Sequence, residues 1–312
     1  MDIVDGLRAI DEAILFLNLK CGDRLGHALA MGVDVDAWYQ GKANLILINR
    51  MNYLDNLAWL YHKIRKYRIR DCEDAVHSIC KRYDELIKIV YKQVIPQNEF
   101  VFSIDSYYDA WKLRGDAPEK YKEKEFVAGN FYPDEWENCA INEEFPKNYR
   151  IRYDKEVSLL YYLYHYNRNV KRIGDEMMEV HVNPSIIRVV KQVQRRMQIE
   201  ICERGIGIET NPSSNCVIGS FKRYDLHPIK DWYNYGLTSD QKEQDTCPQL
   251  MVSINTDDQG VFNTCLENEY AYLALALEKL KNEDGTPKYK RTLILRWLDN
   301  IRELGLSMSF LT

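Results

Sequence analysis

Two neighbouring acids, Asp257 and Asp258, close the run Ser253-Ile254-Asn255-Thr256-Asp257-Asp258, which follows the apolar residues Leu250, Met251 and Val252. Carboxylates at the mouth of a buried strand are costly unless a cation or a hydrogen-bond donor meets them. A metal ion or a substrate proton donor would meet that need. A strand-end turn whose Asp side chains cap the next segment would also do so. Upstream, His27 stands in Asp23-Arg24-Leu25-Gly26-His27-Ala28, with a side chain whose ordinary pKa suits proton transfer near neutrality. The plainer reading of His27 is a loop residue facing solvent. A third polar tip, Gly207 to Asn215, carries Asn211-Pro212-Ser213-Ser214-Asn215, in which Ser213, Ser214 and Asn215 read as turn formers that shape a rim.

The segments that lead into these tips share one rhythm. Ile3, Leu7, Ile10, Ile14 and Leu17 recur at helical spacing over residues 2–20, Gly22 ends that helix, and Arg24 to Met31 reads as a short strand. Asn183 and Pro184 start another helix, Gly205 stops it, and Ile206 to Glu209 is the next strand. Beyond Asp258, Thr264 and Glu267 have capping-box spacing ahead of a helix to about Leu280, and a last helix covers roughly Lys288 to Leu304. Helix, short strand and polar tip form the unit of a parallel (β/α)8 barrel, in which the loops after the strands carry the chemistry. The expected fold class is therefore α/β.

In this order the three tips resemble the C-terminal half of the adenosine and AMP deaminase family of metal-dependent aminohydrolases. That family carries an Arg-x-Gly-His-Gly strand end, a Pro-x-Ser-Asn turn and a Ser-x-Asn-Thr-Asp-Asp-Pro strand end. Ala28 stands for the second Gly and Gln259 for the Pro, which loosens the match to housekeeping deaminases without removing a reacting group. The resemblance implies that His27 holds or deprotonates a metal-bound water. It implies that Asp257 is a zinc ligand that accepts from the same water, and that Asp258 hydrogen-bonds a purine ring nitrogen. Zinc would bring the pKa of its water from ~16 toward ~7. The model reaction is hydrolysis of adenosine, or of an adenine nucleotide, to the inosine form with release of ammonia.

The family's remaining metal ligands, a His-x-His and the His of a His-Ala-Gly-Glu segment, have no counterpart in the sequence, and neither does the Glu that protonates the ring. The resemblance thus covers the last three βα units of a (β/α)8 TIM barrel, and a separate chain or a longer parent is expected to supply the other half. His62, His77, His165, His181 and His227 form no ligand pattern, and Glu200, Glu203 and Glu209 read as surface acids. Arg24 is expected to pair with a neighbouring carboxylate.

Residues 1–35 are read as a barrel segment, 36–182 as a mostly helical insertion, and 183–312 as a second barrel segment. In the insertion, Asn52 to Tyr67 and Cys72 to Val94 show helical periodicity. Residues 96–150 are mixed, with Pro118, Pro133 and Pro146 as breakers, and Tyr153 to Ile173 reads as one helix with a face of Tyr161, Tyr162, Tyr164 and Tyr166. These aromatics make either a core of their own, the favoured reading, or a homo-oligomer interface. The long insertion resembles bacterial relatives that include the deaminase component of RADAR-type antiviral systems.

The net charge of −5 over 312 residues lacks the basic excess of a nucleic-acid footprint. No apolar run approaches the ~20 residues of a membrane span. The eight cysteines (21, 72, 80, 139, 202, 216, 247 and 265) include no Cys-x-x-Cys pair, and no signal peptide is evident, so reduced thiols in a cytoplasmic protein are expected. The rival to a purine deaminase fragment is a non-catalytic helical assembly module that keeps a degenerate barrel remnant.

Overall fold

The computed structural model describes residues 2–92, 94, 102–116, 118–121, 151–152, 154–219 and 221–309. Pro133, Pro146, Cys139 and most of the mixed stretch 96–150 lie outside the described residues. Five strands are present among the described residues: β1 (Arg24–Gly26), β2 (Leu45–Asn49), β3 (Met177–His181), β4 (Gly207–Thr210) and β5 (Val252–Ile254). The chain divides into two compact units, one of Met1–Asn18 with Val35–Val193, the other of Leu19–Asp34 with Gln194–Thr312. The first helix, grouped with the His strand on sequence, falls in the unit that holds the helical insertion.

The second unit holds a parallel sheet in the order β1-β4-β5. Arg24 pairs with Gly207, and Ile208 with Val252, so the three carboxyl ends lie along one edge. The central strand is buried, and a Cβ added to Gly207 would come within 2.4 Å of Met308 Sδ. The helix Pro184–Glu203 ends as the sequence indicates. Gly205 has φ +65°, the Ile206 N–H donates to Ile201 O at 3.2 Å and the Gly205 N–H to Cys202 O at 2.9 Å. This reciprocal pair is the Schellman stop that a residue with positive φ allows. The helix Arg291–Ser307 turns Ile294, Trp297, Leu298 and Ile301 inward and lies against β5. The parallel strands and covering helices make this unit α/β.

The other unit is built mainly from helices, including Ile3–Phe16, Arg50–Tyr67, Glu73–Tyr91, Ile104–Lys112, Lys155–Tyr166 and Arg168–Gly174. Trp59, Tyr83, Tyr91, Tyr107, Trp111 and Tyr161 are buried in it, so these rings form its core. Of the expected tyrosine face only Tyr161 is buried, and Tyr164 instead lies under the Arg114 guanidinium at 3.7 Å. β2 and β3 form an antiparallel ladder in this unit that periodicity did not disclose. Leu45, Leu47 and Met177 are exposed on it, so the apolar/polar alternation of a half-buried strand is absent.

Three expected elements are shorter or divided. The first helix stops at Phe16, and Asn18 is left-handed at φ 51°. The helix expected over 153–173 breaks at Asn167, whose side chain accepts from the amides of Asn169 and Val170 and so starts a second helix. The strand expected over 24–31 ends at Gly26, because His27 (φ 60°) and Ala28 (φ 43°) are both left-handed and Leu29–Met31 is a 3-10 turn. A left-handed alanine is strained by about 1–2 kcal/mol, part of which is offset by the greater unfolded-state freedom of glycine. Ala28→Gly should therefore raise the stability of this unit by up to about 1 kcal/mol, read from the urea midpoint.

Candidate functional site

The site lies at the carboxyl edge of the parallel sheet. His27 follows β1, Asn211 to Asn215 follow β4, and Asp257 follows β5. The His27 N–H donates to Glu209 O at 2.9 Å and the Asn255 N–H to Thr210 O at 2.8 Å, so the ladder holds both tips. His27 then turns left-handed directly after β1, and Asp257 (φ 59°) does so three residues after the end of β5. Non-glycine residues kept in that region cost about 1–3 kcal/mol and persist where surrounding contacts over-determine them.

These turns bring His27 Nε2 within 3.5 Å of Asp257 Oδ2, although 230 positions separate the two residues in the chain. Both side chains are about one-third exposed. They line a hollow of about 480 Å³ with Gly26, Glu209, Asn211, Asn255, Thr256, Gln259 and Leu266. That volume falls within the usual range for small-molecule sites, about 300–1,000 Å³.

The turn after β4 bonds directly to the reacting groups. Ser214 Oγ donates to Asp257 Oδ2 at 2.7 Å, and the Asn215 side-chain amide bridges His27 Nδ1 at 2.8 Å and His227 Nε2 at 2.9 Å. Ser214 and Asn215 are fully buried, so they are anchors of the site, beyond the rim-shaping part that their composition suggested. Asn211 Nδ2 lies 3.5 Å from both ring nitrogens of His27, at the outer limit of a hydrogen bond to either. Ser213 N–H donates to Glu269 Oε2 at 2.8 Å, and Thr264 Oγ1 donates to Glu269 Oε1 at 2.5 Å. Thr264 thus bonds to Glu269 instead of forming a box with Glu267, and the helix it precedes, Leu266–Glu278, has no side-chain cap.

Asp258 sits differently from its neighbour. Its Oδ1 accepts from the amides of Gly260 (2.9 Å) and Val261 (3.0 Å), capping the short helix Gln259–Phe262, and it does not line the hollow. The capping alternative raised by sequence thus describes Asp258 Oδ1, and Asp257 Oδ1 likewise accepts from the Asp258 backbone N–H at 3.0 Å, while Asp257 Oδ2 faces His27. Arg24 pairs with Glu209 at 2.9 Å, as expected of that arginine, and Glu209 belongs to the hollow and not to a detached surface.

His227, on sequence a histidine beside a proline that forms no ligand pattern, proves to support the site. It is fully buried, edge-on to Phe221 and Trp232, and its Nδ1 accepts from the Ile229 backbone N–H at 3.1 Å. Removal from water, with a smaller contribution from Lys230, pushes its pKa down to about 3. The only available signal was its place before Pro228 at a helix start. An unfolded His titrates near ~6.5, so between that pH and about 3 the unfolded chain binds a proton that the folded chain refuses. Stability should therefore fall as pH drops below ~6.5, by up to about 2 kcal/mol at pH 5. His227→Gln should flatten this limb, which urea midpoints at pH 7 and pH 5 would show.

Zinc takes three or four protein ligands. His27 and Asp257 offer two, and no group of three or more His, Cys, Asp or Glu side chains with metal-holding geometry occurs among the described residues. The described residues therefore do not fit a zinc ion by themselves. The described cysteines are free thiols, and among the described residues no helix is long and apolar enough to cross a membrane.

No family model matches the chain. An adenosine deaminase from Plasmodium gallinaceum is 32% identical over 107 residues, which is 34% of this chain and 23% of that protein. An aminodeoxyfutalosine deaminase from Streptomyces coelicolor is 33% identical over 82 residues, 26% of this chain and 18% of that protein. The protein of the same name from Streptomyces avermitilis is 30% identical over 83 residues, 27% of this chain and 20% of its own length. The chain spans about a fifth of the length of these curated relatives. Over roughly a third of its length or less, it is similar to hydrolases of the adenosine deaminase type.

Proposed function

We propose that this chain supplies the last three βα units of a (β/α)8 barrel, and with them part of the active site of a purine deaminase. The reaction is hydrolysis of the 6-amino group of adenosine or an adenine nucleotide. Water oxygen bonds to the ring carbon, the carbon–nitrogen bond breaks, and ammonia leaves. The observation that carries this reading is the meeting of His27 and Asp257 at 3.5 Å on the carboxyl edge of parallel strands. The partial similarity to deaminases supports it.

Within this reading Asp257, held by Ser214, is the carboxylate that faces the attacking water, and His27 exchanges or shares a proton at Nε2. Asp258 caps the helix Gln259–Phe262 through Oδ1 and does not line the hollow, so the contact with a purine ring nitrogen that the reading gives it would form only in the completed site. Two donors are too few for zinc, so the remaining ligands and the ring-protonating acid come from a barrel half outside this sequence, on a second polypeptide or a longer parent. Zinc would belong to the completed site. The free thiols accord with a cytoplasmic setting.

The rival reading, a non-catalytic assembly module, draws on the short ligand inventory among the described residues, with the helical unit as a homo-oligomer interface. One experiment separates the two. The chain alone should bind no stoichiometric zinc and release no ammonia from adenosine, and joined to the complementary barrel half it should do both. In the joined protein Asp257→Ala should lose metal and turnover together, whereas Asp258→Asn should keep the metal and lose turnover. Tight zinc with turnover by the chain alone would overturn the shared-site proposal. A joined protein inert toward adenosine and adenine nucleotides would favour the assembly module.

A further inference from the structure

His227, Asn215 and His27 form a chain of side chains whose hydrogens can be placed by elimination. A backbone N–H only donates, so the Ile229 amide, 3.1 Å from His227 Nδ1, requires a lone pair there. The ring is fully buried with no carboxylate bonded to it, and its burial holds it neutral. A neutral imidazole carries one proton, so that proton is on Nε2 and points at the Asn215 amide 2.9 Å away.

The group of Asn215 that meets an N–H must be its oxygen. One orientation of the amide sets Nδ2 toward His227 and Oδ1 toward His27 Nδ1 at 2.8 Å. In that orientation His227 would accept at both nitrogens, which only an imidazolate does. Amide oxygen and nitrogen have nearly the same shape and are assigned from their partners. Turning the amide over satisfies every group: Oδ1 accepts from His227 Nε2–H, and Nδ2 donates to His27 Nδ1. Asn215 is itself fully buried, so no solvent molecule competes for either end.

We infer that His227, acting through Asn215, fixes neutral His27 as the tautomer with its proton on Nε2, aimed at Asp257 Oδ2 and the hollow. His27 then meets the site as a hydrogen-bond donor, with its Nδ1 lone pair committed to the relay. His227 is a positioning residue, because it never touches the hollow and acts on His27 only through the amide. The consequence for turnover rests on the deaminase reading, whereas the tautomer does not.

The test is long-range ¹⁵N–¹H NMR of the full chain labelled at histidine, with the His27 signals assigned by their absence in His27→Asn. The wild type should show His27 protonated on Nε2 and His227 protonated on Nε2. Asn215→Asp offers oxygens to both rings, so His27 should gain a proton on Nδ1. His227→Leu should leave His27 as a mixture of tautomers. His227→Gln places an amide N–H near the former Nε2 and should restore the Nε2–H form. A wild-type His27 protonated on Nδ1 overturns the inference without recourse to any variant, and so does a His27 tautomer unchanged in both Asn215→Asp and His227→Leu. In the joined protein, His227→Leu should lower kcat by about 10–100-fold with KM little changed, and Gln should recover most of it. Inactivity of the joined wild type together with the expected spectra would remove the deaminase reading and leave the relay standing.

Discussion

His27→Ala should lower the turnover of the joined protein by about 10²–10³-fold, the usual cost of removing one donor aimed at charge that develops during the reaction. The substitution removes the only imidazole that lines the hollow among the described residues. It also leaves the buried Asn215 amide without its partner at 2.8 Å, although the relay to His227 persists. Metal content should survive, because the strand-end turn and Asp257 are held independently by Ser214 and by the Asn255–Thr210 ladder bond. The measurement is steady-state ammonia release beside zinc content. Turnover within a few-fold of wild type would sink the role given to His27. Loss of zinc together with turnover would mean that His27 helps to hold the metal.

Arg114→Met should destabilise the helical unit by about 3–5 kcal/mol, the usual result of removing one partner from a buried ion pair. Asp55 is almost wholly enclosed and receives Arg114 through two bonds, Nη1 at 2.6 Å and Nη2 at 2.8 Å, and Tyr107 OH at 2.7 Å. Arg8 stands 3.5 Å from the same carboxylate. Burial alone would raise the Asp55 pKa, but Arg114 and then Arg8 outweigh it and hold the group below its ordinary value of 3.8. A depressed carboxylate adds stability above its unfolded pKa and loses it as pH falls through the folded one. The wild type should therefore shed this contribution only in strong acid, and Arg114→Met should show a smaller loss there. The double variant Asp55→Leu with Arg114→Met should recover part of the deficit at pH 7, because no charge is then left buried alone. Urea midpoints of the single and double variants decide it, and a single-variant loss under about 1 kcal/mol would mean that Arg8 suffices.

Helices of the central region were legible because Leu54, Leu57, Leu60 and Ile64, and Ile79, Tyr83, Leu86 and Val90, repeat at the spacing of one buried face. The Schellman stop at Gly205 was legible because positive φ favours glycine. The ladder of β2 and β3 was not, because its outward positions carry Leu45, Leu47 and Met177 in place of polar residues. The length of β1 was hidden as well, since nothing in Gly26-His27-Ala28 forces a left-handed turn at a histidine and an alanine.

For the site, residue types and spacing singled out His27, Asp257 and Asp258 as chemically competent groups in or just after short strands. Local pattern reaches that far, because strand ends and turns are set by neighbours in sequence. Only the tertiary structure decided that parallel pairing through β4 brings His27 to Asp257, and that Asp258 spends one oxygen on a helix cap. It also decided that His227, indistinguishable in sequence from any loop histidine before a proline, is buried behind Asn215. Burial and the partner of each ring nitrogen depend on segments far apart in the chain, and those factors, not residue type, fix where a histidine keeps its proton.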